Sequence, residues 1–63
     1  MQQITENQVL FSPTSAAKAL DVSRSTIYAL MKNGGIKFVV VGSDRRIPFS
    51  EIKRIATEGA STA

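Results

Sequence analysis

The chain predicts a small α+β fold, mainly α, with three short helices and a two-stranded hairpin. Three observations lead there. Two stretches with helical apolar spacing, each opened by a serine, are separated only by Asp21-Val22-Ser23. A β-branched run over Ile36–Val41 is followed, across Gly42-Ser43-Asp44, by the short stretch Arg45-Arg46-Ile47 closed by Pro48. A last amphipathic segment opens at Ser50-Glu51.

Residues 1–8 are polar and aperiodic and are expected to form a loose arm, with the packed domain over 9–58 and a small-residue tail over 59–63. Val9-Leu10-Phe11 begins the packed body. Ser12-Pro13 starts the first helix: the serine hydroxyl can accept from a free amide of the first turn, and proline's missing N–H is no loss there. Ala16, Ala17 and Leu20 share one face, and Asp21 stands where the chain must turn left-handed to leave the helix. Ser23 caps the second helix, Arg24 to Asn33, in which Ile27, Leu30 and Met31 follow the i, i+3, i+4 rule for a buried face. Arg24, Tyr28 and Lys32 recur every fourth residue on a different, outward face. Gly34-Gly35 ends it. In the third helix Ile52, Ile55 and Ala56 repeat the core spacing, and Glu51 sits at the positive N-terminal end. Two short helices joined by about three residues are what a helix-turn-helix requires, and the hairpin is its wing.

The strand holds a puzzle. Strict alternation buries either 36/38/40 or 37/39/41, and either choice leaves bulky apolar groups of Phe38 to Val41 outside. Twist and neighbouring helices can cover both faces, or this surface meets another protein or another copy of the chain.

Composition narrows the function. The 63 residues contain no Cys and no His, so thiolate metal sites, disulfides and the usual general base are excluded. No cofactor or metal is expected. No carboxylate pair surrounds Tyr28, Ser25 or Lys32 to activate one as a nucleophile, so no enzyme is expected. Neither a basic leader nor an apolar run long enough to span a bilayer is present, which points to a soluble cytoplasmic protein. A body of this length should be about 25–30 Å across, with a radius of gyration near ~11 Å. Eight Lys+Arg face five Asp+Glu, and the first cation is Lys18, so the basic charge is confined to the later part of the chain. That suggests a polyanionic partner, and the helix-turn-helix makes double-stranded DNA the one expected.

The second helix of a helix-turn-helix presents its N-terminal part to the major groove. Here that part is Ser23-Arg24-Ser25-Thr26-Ile27-Tyr28. Arg24 can pair bidentately with guanine O6 and N7, while the hydroxyls of Ser23, Ser25 and Thr26 suit phosphates or base edges. Ser23 must also serve as cap. Tyr28 can reach a phosphate. Ser43, Arg45 and Arg46, at or beside the hairpin turn, can follow a phosphate strand or enter a minor groove. Lys32 and Lys37 flank this surface as phosphate neutralisers, whereas Lys53 and Arg54 are expected to face solvent. With about four to six phosphate contacts, one copy should bind weakly and lose affinity steeply with salt.

The run Ser12–Tyr28, with Val22-Ser23-Arg24-Ser25-Thr26-Ile27-Tyr28 as its most specific piece, together with Gly42, Arg45-Arg46-Ile47-Pro48 and Ser50-Glu51-Ile52, resembles the excisionase/MerR-like winged-helix family. The resemblance spans about residues 10–56. It implies a second helix in the major groove and a wing in the adjacent minor groove, with Arg24, Ser25, Thr26 and Tyr28 as groove and backbone contacts and Arg45 and Arg46 as wing contacts. It further implies a recombination directionality factor of a phage or integrative element, acting on DNA in a bacterial host cell. Such a protein bends attachment-site DNA and assists a tyrosine integrase in excision. The small size separately calls for several copies side by side or a second DNA-binding protein. Two departures stand out: Asp21 replaces the glycine usual after the first helix, and Phe38-Val39-Val40-Val41 is more apolar than the usual strand. A small transcriptional regulator on the same fold is the main alternative; a MerR-type regulator with a coiled coil and ligand pocket is not expected, as no effector or dimerisation domain is expected after residue 58. A protein-binding adaptor using the valine-rich strand is a third.

Overall fold

A computed structural model describes residues 9–60. The expected arm over 1–8 and the last three residues of the expected tail lie outside the described residues. The order of elements is β1 (Leu10–Phe11), α1 (Pro13–Leu20), α2 (Arg24–Asn33), β2 (Val39–Val41), β3 (Asp44–Pro48) and α3 (Phe49–Glu58). The radius of gyration is 10.7 Å and the body measures 30 × 26 × 19 Å, as the chain length anticipates.

Both helix starts follow from their serines. Ser12 Oγ accepts from the Ser15 amide at 3.1 Å, and Ser23 Oγ from the Thr26 amide at 3.2 Å. Asp21 closes α1 at φ 57°, ψ 46°, the one residue other than glycine with positive φ among those described, and its N–H donates to the carbonyls of Ala17 and Lys18. A side chain in that conformation costs roughly 1–2 kcal/mol relative to glycine, and the cap bonds hold it there. The link between α1 and α2 is therefore three residues, as a helix-turn-helix demands.

Two elements differ from the sequence expectation. The hairpin is part of a three-stranded antiparallel sheet in the order β1-β3-β2, because Leu10 and Phe11 pair with Pro48 and Ile47. Two residues are too short a stretch to announce a strand by periodicity. The paired strand also begins later than Ile36, at Val39, and the return strand earlier, at Asp44, leaving Gly42-Ser43 as a two-residue turn. Gly42 has φ 67°, the sign such tight turns need.

The core gathers one face from every helix: Ala16 and Ala17 of α1, Ile27, Leu30 and Met31 of α2, Ile52 of α3, with Phe11, Ile36 and Ile47. Phe49 and Ile55 pack against it, and the Phe11 and Phe49 rings stack at 5.9 Å. Ala56, expected inside, is exposed. The helix α3 begins at Phe49, one residue before the expected start, and its inner stripe is buried Ile52 flanked by partly buried Phe49 and Ile55.

Candidate nucleic-acid interface

The hairpin leaves the core as it runs outward, which resolves the alternation of the apolar strand. Along one face, exposure rises from 1% at Ile36 through 36% at Phe38 to 61% at Val40. The other face, Lys37, Val39 and Val41, is exposed throughout. Beyond buried Ile36 neither face is covered, because the ribbon projects past the helices. Residues opposite one another share a face, so the register Val40↔Arg45 and Val39↔Arg46 divides the two arginines. Arg45 lies on the face that carries buried Ile47. Arg46 lies on the other, with Asp44.

The projecting hairpin comes to rest beside α2. Tyr28, half exposed, borders a concavity together with Pro13, Ser43, Asp44, Arg45 and Arg46. On its other side Tyr28 joins Met31, Lys32, Phe38 and Arg45 around a second concavity. Tyr28 is thus the seam between helix and wing. Arg24 is exposed in the first turn of α2, four residues before Tyr28 and so on nearly the same helix face. Ser25 and Thr26 gather their hydroxyls on Ser23: both oxygens stand 3.0 Å from Ser23 Oγ. Ser23 therefore acts as cap and hydroxyl hub together.

The expected site residues do not all converge. Lys37 lies beside Gly34, Gly35, Arg54 and Ala60, around a different concavity from the two that Tyr28 borders. The Arg46 guanidinium stands 3.8 Å from Asp44 Oδ2 and donates to the Arg45 carbonyl at 2.8 Å, so its charge is partly offset in place. Asp44 carries no cue in the sequence beyond its place in the turn.

Arg54 is the clearest correction. Expected in solvent, it folds back along α3, donating from Nε and a terminal nitrogen to Glu51 and, at 3.0 Å, to the carbonyl of Gly35. Glu51, expected merely at a helix end, is buried and also accepts from the Lys37 amide at 2.8 Å. This cluster pins the segment between α2 and the hairpin to α3, and so sets where the hairpin stands. Bonds from Arg54, then from the Lys37 amide, hold the Glu51 carboxyl down at about 2, and the same pairing raises Arg54. Lys53 does stay exposed, with its ammonium 5.8 Å from the Phe49 ring centroid.

Two capped helices joined by three residues, a hairpin beside the second, and exposed cations on both: one comparison decides what these parts belong to. Residues 10–60 match a family model described as a helix-turn-helix domain. The chain belongs to that family. No curated protein and no solved structure gives a significant match. In a helix-turn-helix domain the partner is DNA, and α2 is the second helix of the motif. The three helices and antiparallel sheet with its hairpin agree with the winged form of this domain. Among the described residues, no helix of this domain is long and apolar enough to cross a membrane.

Proposed function

We propose that this helix-turn-helix domain is an excisionase, a recombination directionality factor of a phage or integrative element. It binds beside an attachment site through α2 in the major groove and the hairpin in the neighbouring minor groove. By bending the duplex it helps a tyrosine integrase excise the element, and it performs no cleavage itself. The observation that carries the DNA-facing part is Tyr28 standing between Lys32 and the hairpin arginines, so that helix and wing present one side to a duplex. The family-specific part rests on Val22–Tyr28 and Arg46-Ile47-Pro48, which fall on the start of α2 and on β3.

Size supports a role in assemblies. A body 26–30 Å wide covers about eight base pairs at 3.4 Å each, less than one turn of duplex. Specific recognition then calls for several copies side by side, or for integrase as neighbour. The exposed, uncharged outer edge of β2 is a surface such a neighbour can use.

The test is a gel-shift and bending assay on the attachment site of the element that encodes the chain, combined with a reconstituted integrase reaction. Binding, bending and stimulated excision are expected. Binding confined to a promoter, with no effect on excision, contradicts the excisionase role and favours a transcriptional regulator on the same fold.

A further inference from the structure

Phe38 sits where the hairpin leaves the body, only partly covered and outside the buried core cluster. Phe38 immediately precedes β2, two residues before Val40, whose cross-strand partner is Arg45. The ring and the cation meet diagonally: the Arg45 Cζ stands 5.8 Å from the Phe38 ring centroid. That is within the roughly 6 Å over which an aromatic face attracts a guanidinium. Both residues border the concavity that Tyr28 and Lys32 share with them. Arg46, by contrast, is not among the residues around that concavity, borders the one shared with Pro13, and stands 3.8 Å from Asp44 Oδ2.

An unrestrained arginine loses rotamer freedom when it docks on a phosphate, and restraint beforehand reduces that loss. We propose that Phe38 is a positioning residue of the DNA interface: its ring holds the Arg45 guanidinium over the concavity beside Tyr28 and Lys32, so that the arginine meets a duplex phosphate already in place. The inference rests on the DNA-facing placement of the hairpin proposed above, and assigns to Arg45 rather than Arg46 the larger share of the wing's contact.

The test measures affinity for a random-sequence duplex at several salt concentrations for the unaltered chain, Phe38→Leu, Phe38→Tyr, Arg45→Ala and the Phe38→Leu/Arg45→Ala pair. Phe38→Leu should weaken binding about two- to fivefold with the salt slope retained, because the same phosphate is still neutralised once bound. Phe38→Tyr should restore affinity. Arg45→Ala should flatten the slope by about one unit, and adding Phe38→Leu to it should weaken binding no further. Equal losses from Phe38→Leu with and without Arg45 mean that the ring only supports the fold, and the proposal is then overturned. Unchanged binding by Phe38→Leu overturns it as well. If Arg45→Ala binds like the unaltered chain, the DNA-facing placement of the hairpin fails and the inference falls with it. Independently of any variant, nuclear Overhauser contacts between the Arg45 δ-methylene and the Phe38 ring protons are expected in the unaltered protein, and their absence overturns the proposal.

Discussion

The helix-turn-helix half of the molecule and its hairpin are held in opposite ways. From Ser12 to Gly34 each helix carries its own start and stop, and the cap bonds join residues at most six apart in the chain. The hairpin is placed by distant partners: the Lys37 amide reaches Glu51, the Gly35 carbonyl takes Arg54, and β3 is held on its inner side by β1. The helical half buries Ala16, Ala17, Ile27, Leu30 and Met31, whereas the hairpin exposes Val39, Val40 and Val41. The difference teaches that the proposed recognition surface combines a locally specified helix with a ribbon whose attitude depends on α3.

The largest effect should come from the buried half. Ile27→Ala, at a fully buried position, should lower stability by about 2–5 kcal/mol in denaturant melts. Val40→Ala on the projecting ribbon should change it by less than about 0.5 kcal/mol. Comparable losses at the two sites would mean the hairpin is packed rather than projecting.

Arg24→Ala sharpens the contrast from the binding side. It should cost about 1–3 kcal/mol on the preferred duplex and relax sequence preference, with little change in melting. Identical losses on specific and random duplexes would count against base readout by α2.

Glu51→Gln tests whether α3 sets the hairpin. With its folded pKa at about 2 against an ordinary 4.5, the carboxylate contributes stability that is fully present above about pH 4.5 and lost as pH falls towards 2. The loss at neutral pH should be about 1–2 kcal/mol, kept modest because the Arg54 side chain is about a third exposed and water screens the pair. Urea melts across this range should show the acid-dependent fall in the natural chain and a much shallower one in the variant. Parallel curves would remove the cluster from the account.

Asp21→Gly should have a small effect, a gain of less than about 1 kcal/mol in thermal or urea melts, because relief of the left-handed φ of 57° is partly offset by the extra freedom of glycine in the unfolded chain. A loss would show that the aspartate side chain supports the turn between α1 and α2.

The same local-versus-distant division explains what could be read in advance. Serine caps, the apolar spacing of Ile27, Leu30 and Met31, and the outward row Arg24, Tyr28, Lys32 are all encoded within a few residues, and they stand where their spacing puts them. The hairpin was legible as a β-branched run and a glycine turn. Its division of Arg45 and Arg46 between two faces was implicit in strand alternation, but the sequence had no means of showing which face meets α2. Strand β1, two residues long, and the bond from Arg54 to a carbonyl nineteen residues away leave no periodic trace. Glu51 resembled an ordinary helix-end acid because its partners, Lys37 N–H and Arg54, come together only in the folded chain.

The central claim is that the start of α2 and the hairpin tip engage one duplex together. Amide chemical-shift mapping of the labelled protein during titration with duplex DNA tests it most directly. Perturbations concentrated on Ser23 to Tyr28 and on Gly42 to Arg46, saturating along a common binding curve, are the result expected. Perturbations confined to one of these segments, or centred on Lys53 of α3, would contradict it.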